Sequence, residues 1–231
     1  MVHMNIDFIL YCFVGGLVYM DTDAVGQFMI SQPLVASTAA GAIFGNWALG
    51  LTVGMILQLP YLVEIPVGGT KVAMGNLGAY VAAGLAAQLA ASDPNKLLLA
   101  FALFFGVLIS RGAIPLQDGL RCVNLWIAHR ADAAAENGSL AAITRYQYVG
   151  ALLAFLFGVI VSGMLAMLGV VVWGLLAPLS SGLKFNGGLI EPLLLGAGAG
   201  AVLYLFLKRE TVLHALIGAG IGVVYLVYNY L

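Results

Sequence analysis

PLVASTAAGAIFGNWALGLTVGMILQLP, residues 33–60, is the stretch on which the architecture turns. It sits inside 40 consecutive uncharged residues, 24–63, and carries a proline at each end with Asn46-Trp47 in the middle. Pro33 precedes Asn46 by 13 positions and Pro60 follows it by 14. A helix of that length reaches only about 20 Å, short of the ~30 Å hydrocarbon core of a bilayer. Gly41 and Gly45, then Gly50 and Gly54, form two G-x-x-x-G pairs flanking Asn46, and small residues four apart let helices approach closely in lipid. The stretch therefore predicts a tight helical hairpin that turns back inside the membrane, provided the prolines break the helices. Broken helices are tolerated there only where protein or a wet cavity receives the freed backbone groups. Two ordinary kinked spans are the alternative.

The rest of the chain agrees with a lipid solvent. Of its 231 residues 62% are hydrophobic and 8% charged, with a mean hydropathy of +1.04. A water-soluble domain carries roughly 25% charge. Uncharged runs at 8–20, 24–63, 72–92, 97–110, 146–183, 192–207 and 211–231 give about eight apolar segments, some of which need not cross. The expected fold is an all-α polytopic membrane protein, a single membrane domain over 1–231, with the broken-helix region at 24–70. The N-terminus has no Lys/Arg start and no cleavage pattern, so the first run is expected to be a retained span. Net charge is −1, with no basic field for nucleic acid. Cys12 and Cys122 show no metal or disulfide spacing and read as structural.

Residues 112–147 differ in character. Asp118, Arg121, His129, Arg130, Asp132, Glu136 and Arg145 gather there, and AHRADAAAENG reads as an aqueous or interfacial helix ending at Gly138. The density of arginines places this helical loop in the cytoplasm by the positive-inside rule. Lys208-Arg209, two spans on, falls on the same side, which puts both termini outside.

Polar residues near the ends of the apolar arms are the candidates for handling a solute: Asp21, Asp23, Gln27, Gln58, Glu64, Lys71 and Asn76, together with the turn at Pro66, Gly68 and Gly69. Amides and carboxylates suit a polyhydroxylated ligand because they engage adjacent hydroxyls as donor and acceptor. The glycines of the 65–69 turn would let backbone groups approach a ligand, the alternative being a simple interfacial turn between Glu64 and Lys71. The G-G lacks the phosphate-loop pattern, and no Ser/His/Asp set, zinc helix or nucleotide fingerprint occurs. No catalytic residue, cofactor or metal site is expected.

Three ordered stretches carry a resemblance: DTDAVGQF (21–28), MISQPLVASTAAGAIFGNWALGLTVGMILQLPYLVEIPVGG (29–69) and HRADAAAENGSLAAITRYQY (129–148). Together they resemble the enzyme IIC membrane component of the mannose/fructose/sorbose-type sugar phosphotransferase system. That family shows an Asp after the first span, then S-R-P-L-V, a G-x-x-x-G arm, P-V-G-G and A-D-x-A-A-x-x-G. The resemblance implies a permease subunit in the bacterial cytoplasmic membrane, part of an oligomer with a IID-type membrane subunit. A separate phosphorylated IIB protein would phosphorylate a hexose-like sugar during uptake by alternating access, so this chain would supply no phosphoryl-transfer residue itself. Reentrant hairpins and a moving transport domain come with the resemblance. Asp21, Gln27 and Gln58 fall on its polar positions, and residues 66–69 on its P-x-G-G turn.

Gln32 stands where the family usually has Arg, Glu64 where an apolar residue is common, and TKVAMGN replaces the usual proline pair after P-V-G-G. These departures leave two other readings open. One is an uncoupled or regulatory membrane scaffold. The other is a proton-coupled small-solute carrier, in which Glu64 or an Asp would titrate.

Overall fold

The computed structural model describes residues 6–61, 73–90 and 96–180, with single helical positions at Gly196, Ile217 and Gly220. The described residues form helices only: α1 (Ile6–Asp23), α2 (Pro33–Ile43), α3 (Trp47–Tyr61), α4 (Gly75–Ala90), α5 (Lys96–Gly112), α6 (Ile114–Glu136) and α7 (Leu140–Ser180). Two helical runs, Leu97–Glu136 and Leu140–Pro178, are long and apolar enough to cross a membrane. The expected segments at 192–207 and 211–231 lie outside the described residues.

The hairpin expected between the two prolines is present as α2 and α3, of 11 and 15 residues, or about 17 and 23 Å at the helical rise. Pro33 opens α2 at a position whose missing N–H has no helical partner to lose. Gln32 before it takes φ −58°, ψ 135°, the extended conformation a following proline imposes. Pro60 does not break its helix. It lies in the last turn of α3, which runs on to Tyr61.

Chemistry at three consecutive residues makes the turn. The Gly45 N–H donates to Ala42 O at 3.0 Å and the Asn46 N–H to Gly41 O at 2.8 Å, which satisfies carbonyls at the end of α2. Gly45 sits at φ +76°, where a Cβ would be strained. Asn46 then starts α3, its Oδ1 accepting the Leu49 N–H at 3.1 Å. This corrects the reading of Gly45 as half of a helix-packing pair, since its work is conformational. Asn46→Ala should lower stability by about 1 kcal/mol, read as an earlier thermal melt of the detergent-solubilised protein.

Packing glycines lie elsewhere on the pair. A Cβ on Gly41 would fall 2.7 Å from Gly50 Cα, and one on Gly54 would fall 2.9 Å from Leu34 Cα. Backbone meets backbone along this seam, as small residues permit. Ser37 Oγ, fully buried, donates to Ala79 O at 3.0 Å and ties the hairpin to α4.

α4 is apolar or small on every side, and 12 of its 16 residues are buried, so it forms the centre of the molecule. Tyr80 stacks on Tyr11 of α1 with ring centroids 4.6 Å apart, and its hydroxyl donates to Tyr11 O at 2.6 Å. Gly106 of α5 faces the Gly78 carbonyl of α4, 2.7 Å from where its Cβ would be. α7 crosses α1 at Gly158, whose Cβ would fall 2.9 Å from Gly16 Cα.

Pro115 in the first turn of α6 separates it from α5 near Ala113. α6 ends by the same device as α2. The Gly138 N–H, at φ +67°, donates to Ala135 O, the Ser139 N–H donates to Ala134 O, both at 2.9 Å, and α7 begins at once. The helix expected at 128–138 is thus observed to end where the sequence indicated, and to begin fourteen residues earlier, at Ile114. Only Gln117 and Ile127 of α6 are buried. Its exposed face pairs Arg130 with Trp126, guanidinium over ring at 4.9 Å.

Candidate functional site

Helix ends converge on a polar recess of about 240 Å³. α1 contributes Tyr19, Thr22 and Asp23, three and four residues apart and so on one face. Gln32 comes from the start of α2, Tyr61 from the end of α3, Asn76 from the first turn of α4, and Gln117 with Arg121 from one face of α6. Five helices thus place amide, carboxylate, phenol and guanidinium groups around one space.

Hydrogen bonds fix most of these groups. Gln117, 8% exposed, donates from Nε2 to Asp23 Oδ2 at 3.1 Å. Asn76 Nδ2 donates to Thr22 Oγ1, which itself donates to Val18 O at 3.2 Å. Gln58 Nε2 donates to Gln32 Oε1 at 2.9 Å while its Oε1 accepts the Leu34 N–H at 3.1 Å, so Gln58 caps α2 and holds Gln32 at the rim. Tyr61 donates to Ser110 Oγ at 2.7 Å, and the Ser110 carbonyl accepts the Met74 N–H at 2.8 Å, which joins α3, α5 and the entry to α4. Tyr19 differs. It is 1% exposed, and its hydroxyl, beside Asp23 and Gln117, makes no hydrogen bond of ordinary geometry among the described residues. Such groups are uncommon in folded proteins, and one on a recess wall is a ready donor or acceptor for a solute. The Asp118–Arg121 pair, 3.7 Å apart on one turn of α6, lies at the exposed margin.

Of the residues singled out from sequence, Asp23 and Asn76 line the recess. Asp21 lies behind it, 4% exposed, and its two carboxylate oxygens accept the N–H groups of Phe28 at 2.6 Å and Ser31 at 2.9 Å. It anchors the loop from α1 to α2. Gln27 is in that loop, exposed and at φ +50°, and is not a lining residue. Gln58 reaches the recess only through Gln32. Glu64, Pro66, Gly68, Gly69 and Lys71 lie outside the described residues, but Tyr61 and Ala73, the described residues on either side, both line the recess.

Tyr19, Tyr61, Gln117 and Arg121 were not singled out as site residues. The available signal was Gln117 and Arg121, four apart after Pro115, which places them on one helical face once the proline is read as a helix start. No group of three or more His, Cys, Asp or Glu capable of holding a metal occurs among the described residues.

A short apolar hairpin packed against a buried helix, with polar side chains collected at the helix ends, defines a helical membrane protein with a solute-sized polar recess. The chain belongs to the family described as PTS system sorbose-specific IIC component, whose model matches residues 5–224. It is thus a membrane-embedded sugar-permease component of the phosphotransferase system by family. No curated protein matches it in sequence. Among solved structures it is similar to one titled "Structure of membrane protein", with a TM-score of 0.67, 18% identity, and coverage of 99% of this chain and 100% of that one. It is also similar to a chain in the cryo-EM structure of the mannose transporter ManYZ in complex with microcin E492. There the TM-score is 0.64, with 17% identity over 98% of this chain and 96% of that one. At these identities the likeness establishes a shared fold.

Proposed function

We propose that this chain is the sugar-translocating subunit of a phosphotransferase complex in the bacterial cytoplasmic membrane, and that the recess receives a hexose-like sugar. One observation carries the reading: Asp23, Gln32, Asn76 and Gln117, from four separate segments, line a single recess whose buried Tyr19 hydroxyl makes no hydrogen bond of ordinary geometry among the described residues. Its volume, about 240 Å³, suits one small polyhydroxylated molecule. Carboxamides offer donor and acceptor together, which matches vicinal hydroxyls, and Asp23 accepts from a third. Membership of the IIC family supports a IID-type membrane partner and phosphorylation by a separate IIB protein facing the cytoplasmic loop, residues 112–147. The α2–α3 hairpin, too short to span, is the reentrant element whose movement with the recess would give alternating access.

Asn76→Leu keeps the branching at Cγ and favours the helix, but removes both amide functions from the wall. Sugar affinity of the chain reconstituted with its IID partner, measured by calorimetry over sorbose, mannose and fructose, should fall about tenfold or more. The melting temperature should shift by only a few degrees. Equal affinity in the variant would remove the recess from the sugar path.

A further inference from the structure

Asp23 is a wall residue of two cavities. Beyond it lies a cleft of about 340 Å³ between α6 and α7, which Asp23 and Ala24 close at the α1 end. Asn124 and Ala131 continue the face of α6 that begins with Gln117, at intervals of seven residues or two helical turns. Gln147 and Gly150 of α7 stand across the cleft. The space results from small residues, and a Cβ at Gly150 would meet nothing within 4 Å.

The cleft repeats the chemistry of the recess. Asp23 serves both, Asn124 and Gln147 supply carboxamides, and Tyr146 supplies a phenol. It also repeats the buried polar group without an ordinary hydrogen bond, since Asn124 Oδ1 is buried and accepts none among the described residues, as with the Tyr19 hydroxyl on the other side of Asp23. A buried acceptor without a donor is costly, and a hydroxyl-bearing ligand would satisfy it. Between the two spaces stands the Gln117–Asp23 hydrogen bond of 3.1 Å, a neutral amide against an acidic side chain that is itself exposed.

We propose that the α6–α7 cleft is a second binding station for a polyhydroxylated solute, and that the Asp23–Gln117 hydrogen bond is the partition between it and the recess. This rests on reading the recess as a sugar site. Opening the partition requires only rotation of Asp23, whose carboxylate then accepts from a solute hydroxyl in place of the Gln117 amide. The solute passes from Asn76 and Gln32 on one side to Asn124 and Gln147 on the other, meeting carboxamides throughout.

The test uses the full chain reconstituted with its IID partner, in a Cys12→Ala, Cys122→Ser background. Thr22→Cys reports on the recess and Gly150→Cys on the cleft, each through its rate of maleimide labelling with and without saturating sorbose, mannose or fructose. An effective sugar should slow labelling at both positions severalfold. Slowing at Thr22→Cys alone would overturn the second station and leave the recess reading standing, whereas slowing at neither would overturn both. As an independent arm, Gly150→Trp fills open space on a helix and improves helix propensity, so the chain should fold. Sugar protection at Thr22→Cys should persist in it while uptake falls about tenfold or more, because a packed interior offers no detour. Uptake at the parental rate would overturn the assignment of the cleft to the path.

Discussion

Gly50→Leu should remove the folded protein. A Cβ at position 50 would meet the Ser37 carbonyl oxygen and lie 2.9 Å from Gly41 Cα, both backbone of the facing helix. A flexible side chain could move aside, but α2 cannot, because Ser37 Oγ holds it to Ala79 O and Asn46 closes the turn. Overpacking of this kind costs about 1–3 kcal/mol in ordinary cores and more where backbone must shift. Here the whole hairpin has to separate from α4, so the expected loss is at the upper end or beyond. Monodisperse yield by fluorescence-detected size exclusion, and the melting temperature, are the readouts. Gly119→Ala is the control, since its Cβ would meet nothing within 4 Å, and it should be neutral or slightly stabilising. Wild-type yield and melting for Gly50→Leu would mean that α2 and α3 do not meet along this seam.

Asp21→Ala should have the second-largest effect, through the loop between α1 and α2. Its carboxylate takes two backbone N–H groups, Phe28 and Ser31, seven and ten residues ahead. Hydrogen bonds to a charged acceptor are worth about 1.5–3 kcal/mol each. The loop is partly exposed and water can replace some of this, so about 2–3 kcal/mol in total is expected. Two non-glycine residues of that loop, Gln27 at φ +50° and Met29 at φ +66°, hold uncommon backbone conformations that the carboxylate keeps in place. Amide exchange at Phe28 and Ser31 should therefore quicken in Asp21→Ala, and the loss in melting temperature should be roughly halved in Asp21→Asn, which retains one carbonyl acceptor. Unchanged exchange at both amides would contradict the anchoring role.

The hairpin was legible because its signals are local. A proline can open α2, an asparagine can cap α3, and both sit at fixed spacing from each other. The same pattern misassigned Gly45, because G-x-x-x-G is identical whether the second glycine lies in a helix groove or supplies a left-handed turn. Asp21 and Asp23 both stand out in the sequence as polar groups at a span end, but only Asp23, two residues on, lines the recess. Two positions along a helix change the face by about 200°, and which face meets α6 is set by tertiary packing. Gln117 and Arg121 were obscured for a related reason. They stand in the most charged part of the chain, where a solvated face is the ordinary reading, and only the placement of α6 beside α1 turns one side of it toward a recess.

The most direct measurement is a structure of this chain with its IID partner at saturating sorbose or mannose, whichever binds more tightly. The account predicts sugar density within hydrogen-bonding distance of Asn76, with a ring hydroxyl reaching the Tyr19 phenol. Sugar held elsewhere, with the Tyr19 and Asn76 side chains closed onto protein neighbours, would contradict it.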